Sequence, residues 1–326
     1  MSMRWGITVP LSGVPLPDHQ AVYATLADAG FTDLWSSEVN GTDAFTPLAL
    51  AAAWAPSFRL GTAIAPVFTR GPALLAMTAA ALAEAAPGRV QLGIGSSSPV
   101  VVEDWNGVEF ASPYARSRDM LRFLAAALAG ETVTEEYSTF AVKRFRLERP
   151  PAVLPKIHLA ALRPGMLRLA ASSADGVILN WLSPADVPTA LAELSGAPSD
   201  FEVVARIFVC PTPDAAYART VARRMIAAYV NVPAYAAFHR WLGRAEVLTP
   251  VWEAWSAGDR KAALAAIPDS LVDELVVHGS PAECRAKVEE YVKAGVTVPA
   301  MALLPTPELE TPDLEKLAAL LHSLGR

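Results

Sequence analysis

The chain has 326 residues, with 27 Lys and Arg against 33 Asp and Glu, a net charge of −6 and 52% hydrophobic residues. That length fits two average domains or one large α/β barrel with insertions, the apolar content supports a large core, and the acidic balance without a basic run argues against a nucleic-acid partner. Two cysteines, Cys210 and Cys284, give neither a disulfide framework nor metal spacing, no apolar run reaches the length of a membrane span, and the start MSMRWGITVP lacks a basic-then-apolar leader, so a cytoplasmic protein is expected.

Arg4 to Pro10 reads as a first strand. Asp18 is placed to cap a helix running to Ala29, with Gly30 as its C′ residue. Asp33 to Glu38 is the second strand and ends on a carboxylate. Asn40 to Asp43 is a polar loop, and Thr46-Pro47 opens a helix that ends near Pro56. Arg59 to Pro66 is strand three, Pro72 opens an alanine-rich helix to about Ala86, and Arg89 to Gly95 is strand four, followed by three serines. From Pro99 to Pro155 the rhythm breaks. Val100 to Val108 reads as loop or a short turn, Pro113 to Leu128 as helix, and Val133 to Leu147 as a hairpin. Ile157 to Leu162 is strand five. Pro164 then suits the first turn of a helix, where its missing N–H costs nothing. Val177 to Leu179 is strand six, with Pro184 to Leu194 as the helix after it. Phe201 to Cys210 is strand seven, and Asp214 to about Val277 is helical without a strand. A helix over Ala282 to Lys293, strand eight over Gly295 to Leu304 and a closing helix over Pro312 to Leu324 complete the chain.

Successive strands separated by helices imply a parallel sheet, because the right-handed crossover returns each strand alongside the last. Eight such units predict a (β/α)8 TIM-like barrel over residues 1–326 as one domain, with insertions after strands 4 and 7 at about 99–155 and 211–277. An open doubly wound sheet is the alternative, since periodicity does not show closure.

In a barrel the carboxyl ends of the strands face the site. Those ends carry one carboxylate (Glu38), one arginine (Arg163), several hydroxyls and no histidine. A metal constellation is absent from them. GIGSS at 93–97 lacks both the third glycine of a dinucleotide fingerprint and the lysine of a P-loop. Such a set suits a bound cofactor that carries the reaction while the protein positions it. Glu38 is the candidate to hold a proton or a ring N–H; an ion pair with a neighbouring loop is the other reading. Arg163 before the Pro164 helix start makes an anion site, or is a surface arginine. Ser96 to Ser98 either donate to phosphate or turn the chain. His158 lies inside a strand and reads as a core histidine. Tyr229, Tyr235, Phe238, Trp241, Trp252 and Trp255 pack helices outside the barrel or form a lid with an apolar substrate pocket.

Five phrases carry a resemblance: LADAGFTDLWSSE (26–38), RLGTAIAP (59–66), GRVQLGIGSSSPVVVEDWNGV (88–108), the stretch 145–181 and VHGSPAECRAKVEEYVKAGV (277–296). With them the chain resembles the bacterial luciferase-like monooxygenase superfamily, and within it the branch that uses the deazaflavin coenzyme F420. The resemblance implies a barrel with the cofactor ring in its carboxyl-end mouth and a non-prolyl cis peptide after strand three, matched to Ala63–Ile64. It implies cofactor contacts at Ser96, Leu162, Arg163 and Asn180. FMN with O2 is the alternative cofactor reading, and a barrel that binds a ligand without catalysis is another. Several deazaflavin relatives carry a histidine after the acidic residue of strand two; here the pair is Glu38-Val39, so that role has no occupant. Relatives have small glycines where this chain has Leu162-Arg163. The expected partners are a small organic substrate and a second subunit. The helices around Leu48–Trp54 and Ala73–Ala86 are too apolar for a monomer's surface, so a homodimer is predicted.

Overall fold

Eight parallel strands close on themselves in the computed structural model, which describes residues 4–306 and 313–326. In chain order they are β1 (Gly6–Thr8), β2 (Asp33–Ser36), β3 (Arg59–Thr62), β5 (Val90–Gly95), β8 (Lys156–Ala160), β9 (Gly176–Asn180), β10 (Glu202–Cys210) and β12 (Val298–Leu303). Each pairs with the next, and β12 returns to β1 through Gly6 opposite Ala300. The barrel therefore replaces the open-sheet alternative. Strands covered on both faces read as continuous apolar runs, and β5 is buried along its whole length.

Strand three is shorter than predicted. Its ladder stops at Thr62 and resumes in a two-residue strand, β4 (Ala65–Pro66), that pairs with Ile94 and Gly95. Between them the Ala63–Ile64 peptide is cis. The Ala63 N–H still donates to Ser36 O at 2.6 Å, and the Glu38 N–H donates to Ile64 O at 3.3 Å.

The outer helices begin with α1 (His19–Asp28), α2 (Thr46–Trp54) and α3 (Pro72–Ala85). Gly30 ends the first with a φ of 84°. Asp18 does not cap α1 through its side chain: a 3-10 turn over Leu16–Asp18 runs straight into the helix, so Asp18 already has helical backbone. The insertion after β5 starts with a π-helical turn, Val100–Asp104, where loop or turn was predicted. It continues through α4 (Pro113–Leu128) and the antiparallel hairpin of β6 (Val133–Glu136) and β7 (Ala141–Phe145). Helix α5 (Pro164–Ser173) opens on proline, and α6 (Val187–Leu191) is flanked by 3-10 turns.

The insertion after β10 holds α7 (Ala215–Val230), α8 (Pro233–Trp241), α9 (Ala245–Ser256), α10 (Arg260–Ala265) and α11 (Asp269–Leu275). It also ends in a short strand absent from the prediction, β11 (Val277–His278), paired with Val209 and Cys210. Two residues are too few for an alternating pattern to register. Helices α12 (Pro281–Lys293) and α13 (Leu314–Leu324) close the chain; the predicted start at Pro312 lies outside the described residues. No helix among the described residues is long and apolar enough to cross a membrane.

Two features fill the barrel itself. Trp35 lies fully buried in its interior against Ile178, Val204 and Val298. At the amino-terminal end Arg59 donates to both oxygens of Glu202, at 2.9 and 2.7 Å, and His158 Nε2 lies 3.1 Å from the same carboxylate. His158 is therefore a structural histidine, away from the carboxyl-end mouth.

Candidate active site

The carboxyl ends of the strands surround a cavity of about 360 Å³. Ala63 and Ile64 come from the cis-peptide bulge, Gly95 to Ser98 from the end of β5, Ala160 to Leu162 from the end of β8, and Asn180 from the end of β9. Of the predicted site residues, Glu38, Ala63, Ile64, Ser96, Leu162 and Asn180 line this one space. Arg163 does not. It is the exposed N-cap of α5, one residue beyond the lining Leu162, and its backbone is extended. Among the described residues there is no group of three His, Cys, Asp or Glu side chains placed to hold a metal.

Glu38 points two ways. It lines the cavity, yet Arg70 Nη2 donates to its Oε2 at 2.6 Å and Arg70 Nε lies 3.0 and 3.1 Å from its oxygens. The Ala44 N–H donates to Oε2 at 3.1 Å, and the Arg70 guanidinium lies 4.7 Å from the Phe45 ring centre. The carboxylate thus ties the loop after β2 to the loop after β4. Arg70 escaped the sequence reading because its partner is 32 residues away.

Of the three serines, Ser98 Oγ accepts from the Val101 N–H at 3.4 Å and so serves the π-helical turn. Ser97 takes a left-handed φ of 63°, and Ser96 lines the cavity.

The insertion after β10 supplies the opposite wall. Tyr229, from α7, and Tyr235, from α8, line the cavity, whereas Phe238 is buried in the main core and Trp252 donates its indole N–H to Val230 O at 2.9 Å. Asn180 Nδ2 donates to the Tyr235 hydroxyl at 3.0 Å. Burial, with Tyr229 nearby, pushes the Tyr235 hydroxyl well above the ordinary tyrosine value, so it stays protonated and can donate. Asn180 Oδ1 is buried without a partner.

Arg206, in the middle of β10, is the residue the strand-end rule misses. Its side chain lines the cavity, its Nε is buried without a partner, and its guanidinium lies 5.0 Å from the Phe208 ring centre. Glu202, Val204, Arg206 and Phe208 alternate along FEVVARIFVC. An arginine set between the apolar residues Val204 and Phe208 of its register in a core strand was the available signal.

The donor set fits a tricyclic cofactor. A Cβ on Gly95 would meet Ala160 Cβ at 3.0 Å and Ile64 Cδ1 at 3.1 Å, so small residues and bare backbone form the floor. The unpartnered Asn180 Oδ1 offers an acceptor, and the neighbouring Tyr235 hydroxyl a donor, to a polar ring edge.

The fold and site define a closed (β/α)8 barrel with a cavity at the carboxyl ends of its strands. Residues 5–298 match the profile of the family described as Luciferase-like monooxygenase, and the chain belongs to that family of enzymes. A Mycobacterium tuberculosis protein named as a candidate coenzyme F420-dependent oxidoreductase is 30% identical over 325 residues, covering 91% of this chain and 94% of the relative. Among solved structures, the coenzyme F420-dependent tetrahydromethanopterin reductase of Methanopyrus kandleri superposes with a TM-score of 0.77 at 21% identity, covering 99% of this chain and 98% of that one. The FMN-bound oxygenating component of 3,6-diketocamphane monooxygenase from Pseudomonas putida gives 0.64 at 17% identity, covering 100% and 98%.

Proposed function

We propose that the protein is a cytoplasmic coenzyme F420-dependent oxidoreductase that transfers a hydride between the deazaflavin and a small organic substrate. The observation that carries this reading is the 30% identity to a relative named for that coenzyme, spread over 91% of the chain and so across every strand end that lines the cavity. The deazaflavin supplies a two-electron hydride acceptor or donor at its ring. The protein's share is binding, orientation and exclusion of water. Ala63, Ile64 and Gly95 support the ring, Ser96, Leu162 and Arg163 take the tail, and Asn180 holds Tyr235 beside the ring edge. With Val39 in place of a histidine, Glu38 is the carboxylate that lines the cavity among the described residues, and its ion pair with Arg70 makes it a positioning group first.

Fluorescence titration with coenzyme F420 and separately with FMN tests the reading. Saturable F420 binding with much weaker FMN binding is expected. Preference for FMN, with oxygen uptake, would place the chain with the oxygen-using monooxygenases, the reading favoured by the FMN-bound neighbour.

Arg163 stands at the open rim as the N-cap of α5, and its side chain makes no hydrogen bond among the described residues. Arg163→Ala is expected to weaken F420 binding about ten-fold through loss of a charge-assisted phosphate contact. Equal affinities in the same titration would leave Arg163 a surface residue.

We also propose a homodimer through α2 and α3. Leu74 and Met77 are 50% and 49% exposed, and with Ala81 they form an apolar stripe at helical spacing. Light scattering should give twice the protomer mass of 34.6 kDa, and Leu74→Asp should shift it toward the monomer. A monomeric mass for the unaltered protein at micromolar concentration would refute the interface.

A further inference from the structure

A second cavity, of about 310 Å³, adjoins the first. The two share Ser37, Val39, Arg206 and Tyr229 in their linings. The remaining wall of the second comes from Thr8 and the loop after β1, from Asn40 to Thr42, and from the end of β12. That loop is held in place by a buried histidine: His19 Nε2 accepts from the Leu11 N–H at 2.8 Å, and Nδ1 donates to Pro15 O at 3.0 Å. The chamber is therefore preformed, and Val39 stands on its border with the first cavity.

We infer that this chamber holds the substrate, and that the substrate carries a carboxylate bound by Arg206. The inference builds on the first cavity being the deazaflavin chamber. Arg206 is the one charged side chain among the described residues that line the second chamber. It has no ion pair among the described residues, and its Nε is buried without an acceptor. The other charge at the boundary, Glu38, is already committed to Arg70 and the Ala44 N–H. A half-buried guanidinium without a counter-charge is costly to desolvate. The Phe208 face attracts the cation but accepts no hydrogen bond along the N–H directions. An anion with two coplanar oxygens meets that need, because the guanidinium fork matches a carboxylate bidentately. Thr8 Oγ1, also buried without a partner, adds a hydroxyl to the same chamber. A carboxylate held at the border leaves the rest of a small acid directed toward the ring.

Calorimetric titration tests this with benzoate and succinate, their neutral amides, and inorganic phosphate, on protein saturated with F420 and on protein alone. At least one carboxylate should saturate and bind about ten-fold or more tightly than its amide. Arg206→Gln should abolish that preference while leaving F420 affinity within about two-fold, and Arg206→Lys should restore part of it. Circular dichroism confirms that each variant is folded. No preference for carboxylate over amide, or a preference that survives Arg206→Gln, would overturn the proposal. So would tighter binding of phosphate than of either carboxylate, or a loss of F420 affinity in Arg206→Gln, which would make Arg206 a cofactor ligand. If F420 does not bind but the Arg206-dependent carboxylate preference remains, the cofactor reading falls and the acid-binding chamber stands.

Discussion

Replacing Gly93 by alanine is expected to cost about 3 kcal/mol or more in stability and to weaken cofactor binding in whatever protein still folds. Gly93 lies in the middle of β5. A Cβ there would stand 1.9 Å from the Thr62 carbonyl oxygen and 2.5 Å from Ile178 Cδ1. The first contact is with backbone, so no rotamer change relieves it; β3 and β5 must separate. Thr62 is tied to the same place by its side chain, whose hydroxyl donates to Gly93 O at 2.7 Å. It immediately precedes Ala63–Ile64, the floor of the cavity, so a shift that admits one methyl also displaces that floor. Gly71→Ala is the control. A Cβ at Gly71 meets nothing within 4 Å, and its φ of −59° suits any residue. Thermal melts and F420 titration of the two variants make the comparison. A Gly93→Ala protein that melts and binds like Gly71→Ala would show that the strands can move apart freely.

Most of the eight strands were readable as short, largely apolar segments between turn signals, the pattern of a parallel strand buried on both faces. Where the reading slipped, short-range signals were outvoted by neighbours. Asp18 looks like a cap, but the preceding 3-10 turn uses its backbone instead. The unbroken text RLGTAIAP conceals the interruption at Ala63–Ile64, which only the family resemblance pointed to. The site divides the same way. Glu38, Ser96, Leu162 and Asn180 sit at strand ends, so finding the strands found their positions. Arg206 sits four residues before its strand's end and reaches the mouth by length of side chain. The Glu38–Arg70 pair joins two loops that the pairing of β2 with β3 brings together. Arg163 was placed correctly on the chain, but one residue decides whether a side chain faces the cavity or the rim, and α5 turns it to the rim.

The amino-terminal end of the barrel predicts a pH-dependent stability that leaves the active site unaffected. Arg4 pairs with Asp33 at 3.0 Å, Arg59 lies 3.7 Å from Asp33, and Arg59 and His158 both engage Glu202. Burial alone would raise the Glu202 carboxyl above its ordinary 4.5, but hydrogen bonds from His158 and Arg59 outweigh it and hold the group well below that value. A depressed carboxylate pKa adds stability that is complete above the unfolded value and is lost as pH falls toward the folded one. Glu202→Ala should therefore cost about 3 kcal/mol at pH 7, because Arg59 and His158 lose their shared partner. The lower end of the range for breaking a buried pair applies, since Arg59 and Glu202 each keep 16% exposure and Asp33 remains near. Urea unfolding of the two proteins should show that gap at pH 6 to 7 and a steady narrowing below pH 4.5. F420 affinity at pH 7 should match between them, because the network lies at the end of the barrel opposite the cavity. A gap that stays constant with pH would mean that the cost is lost packing alone, and a matching loss of F420 affinity would mean that the two ends of the barrel are coupled.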